Sequence, residues 1–499
     1  MDAVLQAMSV VFTPYHISVV LFGTMLGIFI GAMPGLSSVM GLSIMLPFTF
    51  MMEGRGSIMM LLGIFAGSIY GGSISAILLN TPGTSASAAT CMDGHPMAVE
   101  LKQPGRALGI ATFSSLFGGL FSCIALCLGA TLLAKVALSF NSLDYFALAI
   151  FGISIITSVS GKSITKGLMG GILGLLFATV GADSLSTQYR FCFDVRFLKG
   201  GMSLVPVLIA LFAFTQALNN AEANYNETRT AEKIKIGHVF PNKEDLKTIM
   251  PTVLRSSILG TLIGAIPGTG GDIASWVGYN EAKRWSKHKE MFGHGAPEGI
   301  AGSEAANNAI AGGALVPLLS LGIPGDAGTA VMMGAFTMMG IVFGPDLFQS
   351  KPEEADIIFI GLILANIFMG ILGFLMVRVF AKIINIPTMY MLPIICSFCI
   401  VGTFALNHYK EEVYLMLAMG VIGFLLSKFG FPMPPIILGL VLGSLAEKRL
   451  RLSLDFMAAG DTVWNHPIAI VFFVLSVISL CSPLIAKLMR QKKEGKEHA

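Results

Sequence analysis

Two short runs carry the residues best able to do chemistry in this chain. The first is GIFIGAMPG at 27–35 and the second GTLIGAIPG at 260–268, identical at six of nine positions. Each is followed by a further interrupted stretch, LLNTPGT at 78–84 and LGIPGD at 321–326. The two prolines of a half, Pro34 and Pro82 or Pro267 and Pro324, lie 48 and 57 residues apart. Proline removes a backbone donor and clashes with the preceding turn, while glycine reaches positive φ. Together they stop a helix. Small polar side chains follow every break: Ser37 and Ser38, then Thr84, Ser85, Ser87 and Thr90, then Thr269 and Asp272, then Asp326 and Thr329. That chemistry is binding. A bare helix N-terminus attracts an anion, and freed carbonyls coordinate a cation.

The candidate substrate ligands are therefore Pro34, Gly35 and Ser37; Asn80, Thr81, Pro82, Gly83 and Thr84; Pro267, Gly268 and Thr269; and Pro324, Gly325 and Asp326. Candidate Na⁺ ligands are Asp272, Asp326, Asn307 and Asn308. The PGTGG run at 267–271 lacks the G-K-[ST] ending of a phosphate loop, so a nucleotide loop is rejected. No cofactor is expected beyond a coupling ion, Na⁺ or H⁺.

The elements that position these residues follow from composition. Hydrophobic residues make up 54 % of the 499 and charged ones 12 %, against roughly 25 % charge in a soluble domain. Mean hydropathy is +0.76. Such a chain cannot cover a water-facing surface, and its exterior suits lipid. Net charge is +3 and no basic block reads as a nucleic-acid footprint. No basic start with an A-x-A cleavage site opens the chain, so its first apolar segment is expected to stay as a span. Uncharged stretches of spanning length include 3–52, 56–92, 107–134, 200–221, 305–325, 327–345, 357–377, 383–407, 429–446 and 462–486. The expected fold is an all-α polytopic membrane protein of about 12 spans, plus re-entrant or broken helices, in two inverted repeats. The repeats are 1–220 and 253–499, the second with a basic tail, joined by a hydrophilic connector at 221–252. Broken segments at corresponding places in two halves point to a transport site at the membrane midplane.

Other polar features receive plainer readings. Cys396 and Cys399 form a CxxC inside an uncharged stretch and read as small hydrophobes in a helix. Glu304 is open between complementing a helix dipole and binding an ion, while Asp144, Arg378 and Lys382 read as interface anchors. Glu281 and Glu298 join the carboxylates at membrane depth. Asp93 and His95 are the nearest acid/base pair, set on a polar turn with no nucleophile. The run Lys448, Arg449, Arg451 and the tail at 487–496 flank one span, so only one of them can obey the cytoplasmic rule for basic residues. Asn226 heads a glycosylation-type triplet with no secreted context.

At GSIYGGSISAILLNTPG, 67–83, the sequence resembles the large membrane subunit of the tripartite tricarboxylate transporters. The resemblance continues through DGHPM at 93–97, GRALG at 105–109, FGHG at 292–295, EGIA at 298–301, SEAANNA at 303–309, PLL at 317–319 and GIPG at 322–325. Ser303 and Asp326 depart from the family pattern. The resemblance implies a bacterial inner-membrane permease that imports citrate-like organic polycarboxylates on a cation gradient. It implies a periplasmic binding protein that delivers substrate and a small membrane subunit that completes the permease. The competing readings are a cation-independent channel or exporter of small organic anions, and a membrane enzyme. The second lacks any HExxH, DDxxD or G-x-S-x-G constellation.

Overall fold

The structure is a computed structural model that describes residues 2–52, 54–159, 163–183, 186, 188–223, 236–383 and 391–481. The basic tail, Asn226 and the middle of the connector lie outside the described residues. The chain is nearly all helical. Its first half holds α1 (Asp2–Val11), α2 (Pro14–Ala32), α3 (Ser38–Phe50), α4 (Gly54–Leu79), α5 (Ala88–Val99), α6 (Pro104–Ala137), α7 (Ser142–Val159) and α8 (Ile164–Ala178). A two-residue hairpin, β1 (Gly181–Ala182) with β2 (Tyr189–Arg190), precedes α9 (Leu204–Leu208). A π-helical segment, Ile209–Phe214, carries α9 directly into α10 (Thr215–Ala223). The second half holds α11 (Lys243–Gly264), α12 (Gly270–Trp285), α13 (Pro297–Leu321), α14 (Ala327–Met338), α15 (Pro345–Ser350), α16 (Pro352–Ile383), α17 (Met391–Asn407), α18 (Lys410–Lys428) and α19 (Met433–Ala458). A last apolar helix spans Pro467–Cys481.

Among the described residues, five helices are long and apolar enough to cross a membrane: Pro14–Ala32, Arg55–Leu79, Pro104–Ala137, Leu204–Glu222 and Pro352–Lys382. Several predicted spans divide differently. The stretch 3–52 holds three helices, and 327–345 holds α14 of only 12 residues, too short to span. Helix α13 begins at Pro297, eight residues before the apolar run at 305, because proline at the first position costs no hydrogen bond. The polar connector is helical from Lys243, where Asn242 and Asp245 exchange capping bonds.

Close helix pairs build the centre, and glycine allows them. Gly23, Gly27 and Gly31 of α2 lie against the backbone of Met60, Ile64 and Ser68 of α4, where a Cβ would collide. Gly260 of α11 meets Ala306 of α13 in the same way, and Gly313 of α13 returns the contact at Thr261. With no hydrophobic drive between helices in lipid, such backbone approach supplies the packing energy. The halves then trade partners. First-half α6 packs along second-half α13, and second-half α16 along first-half α4. At the periphery α7 and α8 pack on α19, while α17 and α18 pack on the π-helical segment and its flanks.

Charged groups at the rim are held locally. Arg451 bridges Asp183 at 2.9 Å and Glu447 at 2.7 Å, and Arg190 bonds Glu447 at 2.6 Å. Arg449 lies over the Tyr145 ring. These partners hold Arg449 and Arg451 locally, two turns before α19 ends. Asp144 corrects its reading as a snorkelling anchor. It is buried and accepts the Asn141 and Ala469 amides, each at 2.8 Å, so it caps two helix starts.

Candidate transport site

Four helix starts converge on one cavity of about 640 Å³. Each start is fixed by local chemistry. Ser37 accepts the Met40 amide at 3.1 Å and opens α3. The 3₁₀ turn Ser85–Ser87 runs into α5, with Ser87 Oγ receiving the Thr84 amide at 3.4 Å and donating to the Thr84 carbonyl at 2.8 Å. Thr269 ties its hydroxyl back to the Ile263 and Ile266 carbonyls at 2.5 and 2.9 Å and opens α12. Asp326 accepts the Thr329 amide at 2.7 Å, and its own amide donates to Thr329 Oγ1 at 2.9 Å, a closed cap for α14.

The wall includes Ser37, Thr84, Gly268, Thr269, Asp272, Asn307 and Asp326 of the predicted residues. The remaining predicted ligands stand behind it and shape the backbone. Gly35 and Gly268 reverse the chain at φ +89° and +84°. In the second pair of breaks the left-handed residue is Asn80, at φ +52°, and its counterpart Gly322, at +72°. Gly83 and Gly325 serve closeness instead, since a Cβ on either would strike backbone, Gly31 for the first and Ala314 for the second. Thr81 turns its hydroxyl onto the Leu79 carbonyl at 3.2 Å. Pro34, Pro82, Pro267 and Pro324 sit in the connecting turns, outside the lining. A backbone bond of 2.6 Å from Gly268 N to the Gly325 carbonyl joins the third and fourth breaks.

Asn308 is corrected as a Na⁺ ligand: it does not line the cavity, and its amide nitrogen donates to Ser115 Oγ at 2.8 Å and to the Glu304 carbonyl at 3.1 Å. Glu304 corrects its reading as a helix-dipole partner: it stands two turns inside α13, fully buried. Glu298 occupies the first turn instead and accepts the Ser286 hydroxyl at 2.9 Å. Asp93 and His95 lie on α5, within a helix. Asp93 Oδ1 accepts three amides, Gly293, Gly295 and Ala296 at 2.7, 3.0 and 2.9 Å, so the residue ties down the loop before α13.

Two wall contributors were not read from sequence. The π-helical segment brings Leu211, Phe212, Thr215 and Gln216 to the cavity, and Asn219 follows one turn on. Thr215 Oγ1 donates to the Ala210 carbonyl five residues back, at 2.9 Å, and lies 3.2 Å from the Gly420 carbonyl. A π-bulge of this kind is frequent at functional sites. The start of α19 adds Pro432, Met433 and Pro434 after Gly430, which is left-handed at φ +73°. The available signals were the polar residues Thr215, Gln216 and Asn219 inside an apolar run and the FPMPP sequence at 431–435.

The electrostatics are unusual for an anion site. Among the described residues the lining holds no Lys, Arg or His and two carboxylates, Asp272 and Asp326. Ser85 Oγ donates to Asp272 at 2.8 Å across the two halves. Two buried donors on the wall have no partner among the described residues, Thr84 Oγ1 and Asn307 Nδ2. Unpaired buried donors are costly, so their position beside a cavity marks ligand-facing groups.

The family model for the tripartite tricarboxylate transporter TctA family matches residues 17–438. The chain belongs to the TctA family. It is 35 % identical over 484 residues to an uncharacterized 52.8 kDa protein of Agrobacterium vitis, from the TAR-I region 3′ of ttuC′, covering 97 % of this chain and 95 % of that one. A second A. vitis protein, uncharacterized and from the TAR-II region 3′ of ttuC′, is 35 % identical over 236 residues, 47 % of this chain and 97 % of its own length. No solved structure matches the chain. TctA proteins are transporter subunits and not enzymes, and the matched region contains the whole cavity wall named here. The apolar helices fit a multi-pass membrane protein.

Proposed function

We propose that this TctA subunit is a secondary-active permease that imports citrate-like polycarboxylates across the bacterial inner membrane, coupled to Na⁺ or H⁺. A periplasmic binding protein delivers the substrate and a small membrane subunit completes the complex. The membrane part has about 12 spans in two inverted repeats, 1–220 and 253–499, around the connector at 221–252. The reciprocal trade of α6 and α16 between α13 and α4 supports the repeat reading.

One observation carries the proposal: the helix starts at the four breaks and two carboxylates face one cavity, and no basic side chain lines it among the described residues. The fifth start there, that of α19, lacks amide N–H groups at Pro432, Pro434 and Pro435. Each N-terminus supplies roughly half a positive charge, so the four balance about two negative ones. Asp272 and Asp326 already account for that balance. A polycarboxylate added alone would leave charge uncompensated in a low-dielectric site, which is strongly unfavourable. The substrate therefore enters with cations. Carboxylates of the substrate meet the helix starts and the donors of Thr84 and Asn307. The coupling ions lie between substrate and the aspartates.

Uptake of radiolabelled citrate by cells carrying the complete transporter tests this. Replacing Asp272→Asn is expected to raise the cation concentration needed for half-maximal uptake at least tenfold, equal to about 1.4 kcal/mol. Asp326→Asn keeps the cap and removes the charge, so it should behave alike. Wild-type uptake indifferent to both Na⁺ and pH would sink the symport reading and favour the channel.

A further inference from the structure

Buried charge at membrane depth is rare, and Glu304 is an instance outside the cavity wall. Glu304 of α13 is fully buried, and its carboxyl joins three helices. Thr90 of α5 donates to Oε1 at 2.5 Å. Ser115 of α6 donates to Oε2 at 2.9 Å, and Asn308 Nδ2 lies 3.4 Å from the same oxygen. Ser303 sits 3.1 Å from the Thr90 hydroxyl and completes the shell. No cation reaches this group among the described residues. The titratable groups that feel its charge are the Tyr70 phenol on α4, bonded to Thr112 at 2.7 Å, and the Cys91 thiol on α5. Five charged groups on the other packed elements have partners of their own. Arg106 of α6 pairs with Asp245 of α11, Arg255 of α11 bonds Thr252, Asp272 of α12 accepts from Ser85, and Asp93 and His95 of α5 bond backbone. Glu298 of α13 holds Ser286.

A carboxyl so placed is neutral or needs a cation. The hydroxyls contact it directly at hydrogen-bond distance, so a metal ion would have to break those bonds to enter. A proton would not. Asn307, which lines the cavity, stands one turn along the same helix, about 4.5 Å in axial rise. The interface between α6 and α13 is also one of the two where the halves trade helices.

We propose that Glu304 is a proton-binding site that couples proton movement to the transport cycle. This rests on the permease reading above and names one of its coupling ions. One proton from water adds to a Glu304 oxygen and turns the carboxylate into a neutral acid, and the same proton later leaves to water on the opposite side. Thr90 and Ser115 hold both forms, since a hydroxyl donates to the carboxylate and accepts from the acid.

Infrared difference spectra of the full purified chain, between acid and alkaline pH, test the site without any substrate. The wild type should show a buried carboxylic-acid C=O stretch that disappears as pH rises, and Glu304→Gln should lack that band. Ser115→Ala keeps the carboxyl but removes a donor to the charged form, so the band's midpoint should move up by about one pH unit. A Glu304→Gln spectrum with the same titrating bands as wild type, or an unmoved midpoint in Ser115→Ala, overturns the proposal. In cells with the complete transporter, Glu304→Gln should also abolish the dependence of citrate uptake on external pH. Unchanged pH dependence counts against Glu304. Absence of citrate uptake in the wild type counts instead against the substrate reading, and the spectra still decide the proton site.

Discussion

Asn80 and Gly322 show how one backbone need is met by two residue types. Both hold the left-handed turn that ends a central helix, at φ +52° and +72°. Asparagine tolerates this region better than other non-glycine residues, and glycine without cost. Asn80→Gly should therefore leave thermal stability in detergent nearly unchanged. Asn80→Ala should lower it by roughly 1–2 kcal/mol. Equal melting temperatures for the two variants would show that the turn relaxes and that φ at this position is not constrained. Asp93 makes the complementary point. It looks catalytic by type, yet its oxygen is consumed by a nest of three amides that fixes the loop before α13.

Helix starts and helix interruptions build the site at the next scale. The breaks leave amides facing the cavity, and the chain covers the opposite ends with side chains such as Asn220, whose amide donates to the Gly35 carbonyl at 2.5 Å. The π-helical segment adds a further interruption, and Thr215 stabilises it by bonding five residues back. Thr215→Val removes that bond and the contact to Gly420 while keeping shape. Citrate uptake should fall about two- to tenfold with membrane abundance unchanged, the single hydroxyl proton shared between the two carbonyls being worth about 0.5–1.5 kcal/mol net. Normal uptake in Thr215→Val would make the bulge a packing feature only.

Across the whole molecule, the halves are bound by exchange. Each central helix, α4 and α13, is covered on one side by a long helix from the other half. Asp272 and Ser85, Arg106 and Asp245, and Asp93 with the 293–296 loop add polar ties between halves. A half expressed alone would expose the buried Glu304 shell or the paired face of α4, and unsatisfied polar groups in lipid are expensive. Fragments 1–223 and 236–499 should each fail to accumulate alone and should restore membrane abundance when produced together. Stable accumulation of either fragment by itself would show that the exchange is not essential to folding.

The sequence alone determined the solvent and the punctuation. Low charge and long apolar runs required lipid, and Pro-Gly pairs at matched places required broken helices, because proline and glycine act through their own backbones. It also marked Ser37, Thr84, Thr269, Asp272, Asn307 and Asp326, which do meet at one cavity. It could not separate the residues that face the cavity from those that bend the chain behind it. Both kinds occur in the same few positions, and which way each points depends on helix rotation set by distant partners. The tertiary structure alone placed Glu304 between α5 and α6, joined the π-helical segment to the wall, and spent Asp93 on a loop 200 residues away. Those outcomes depend on contacts between segments far apart in the chain, and no local pattern encodes them.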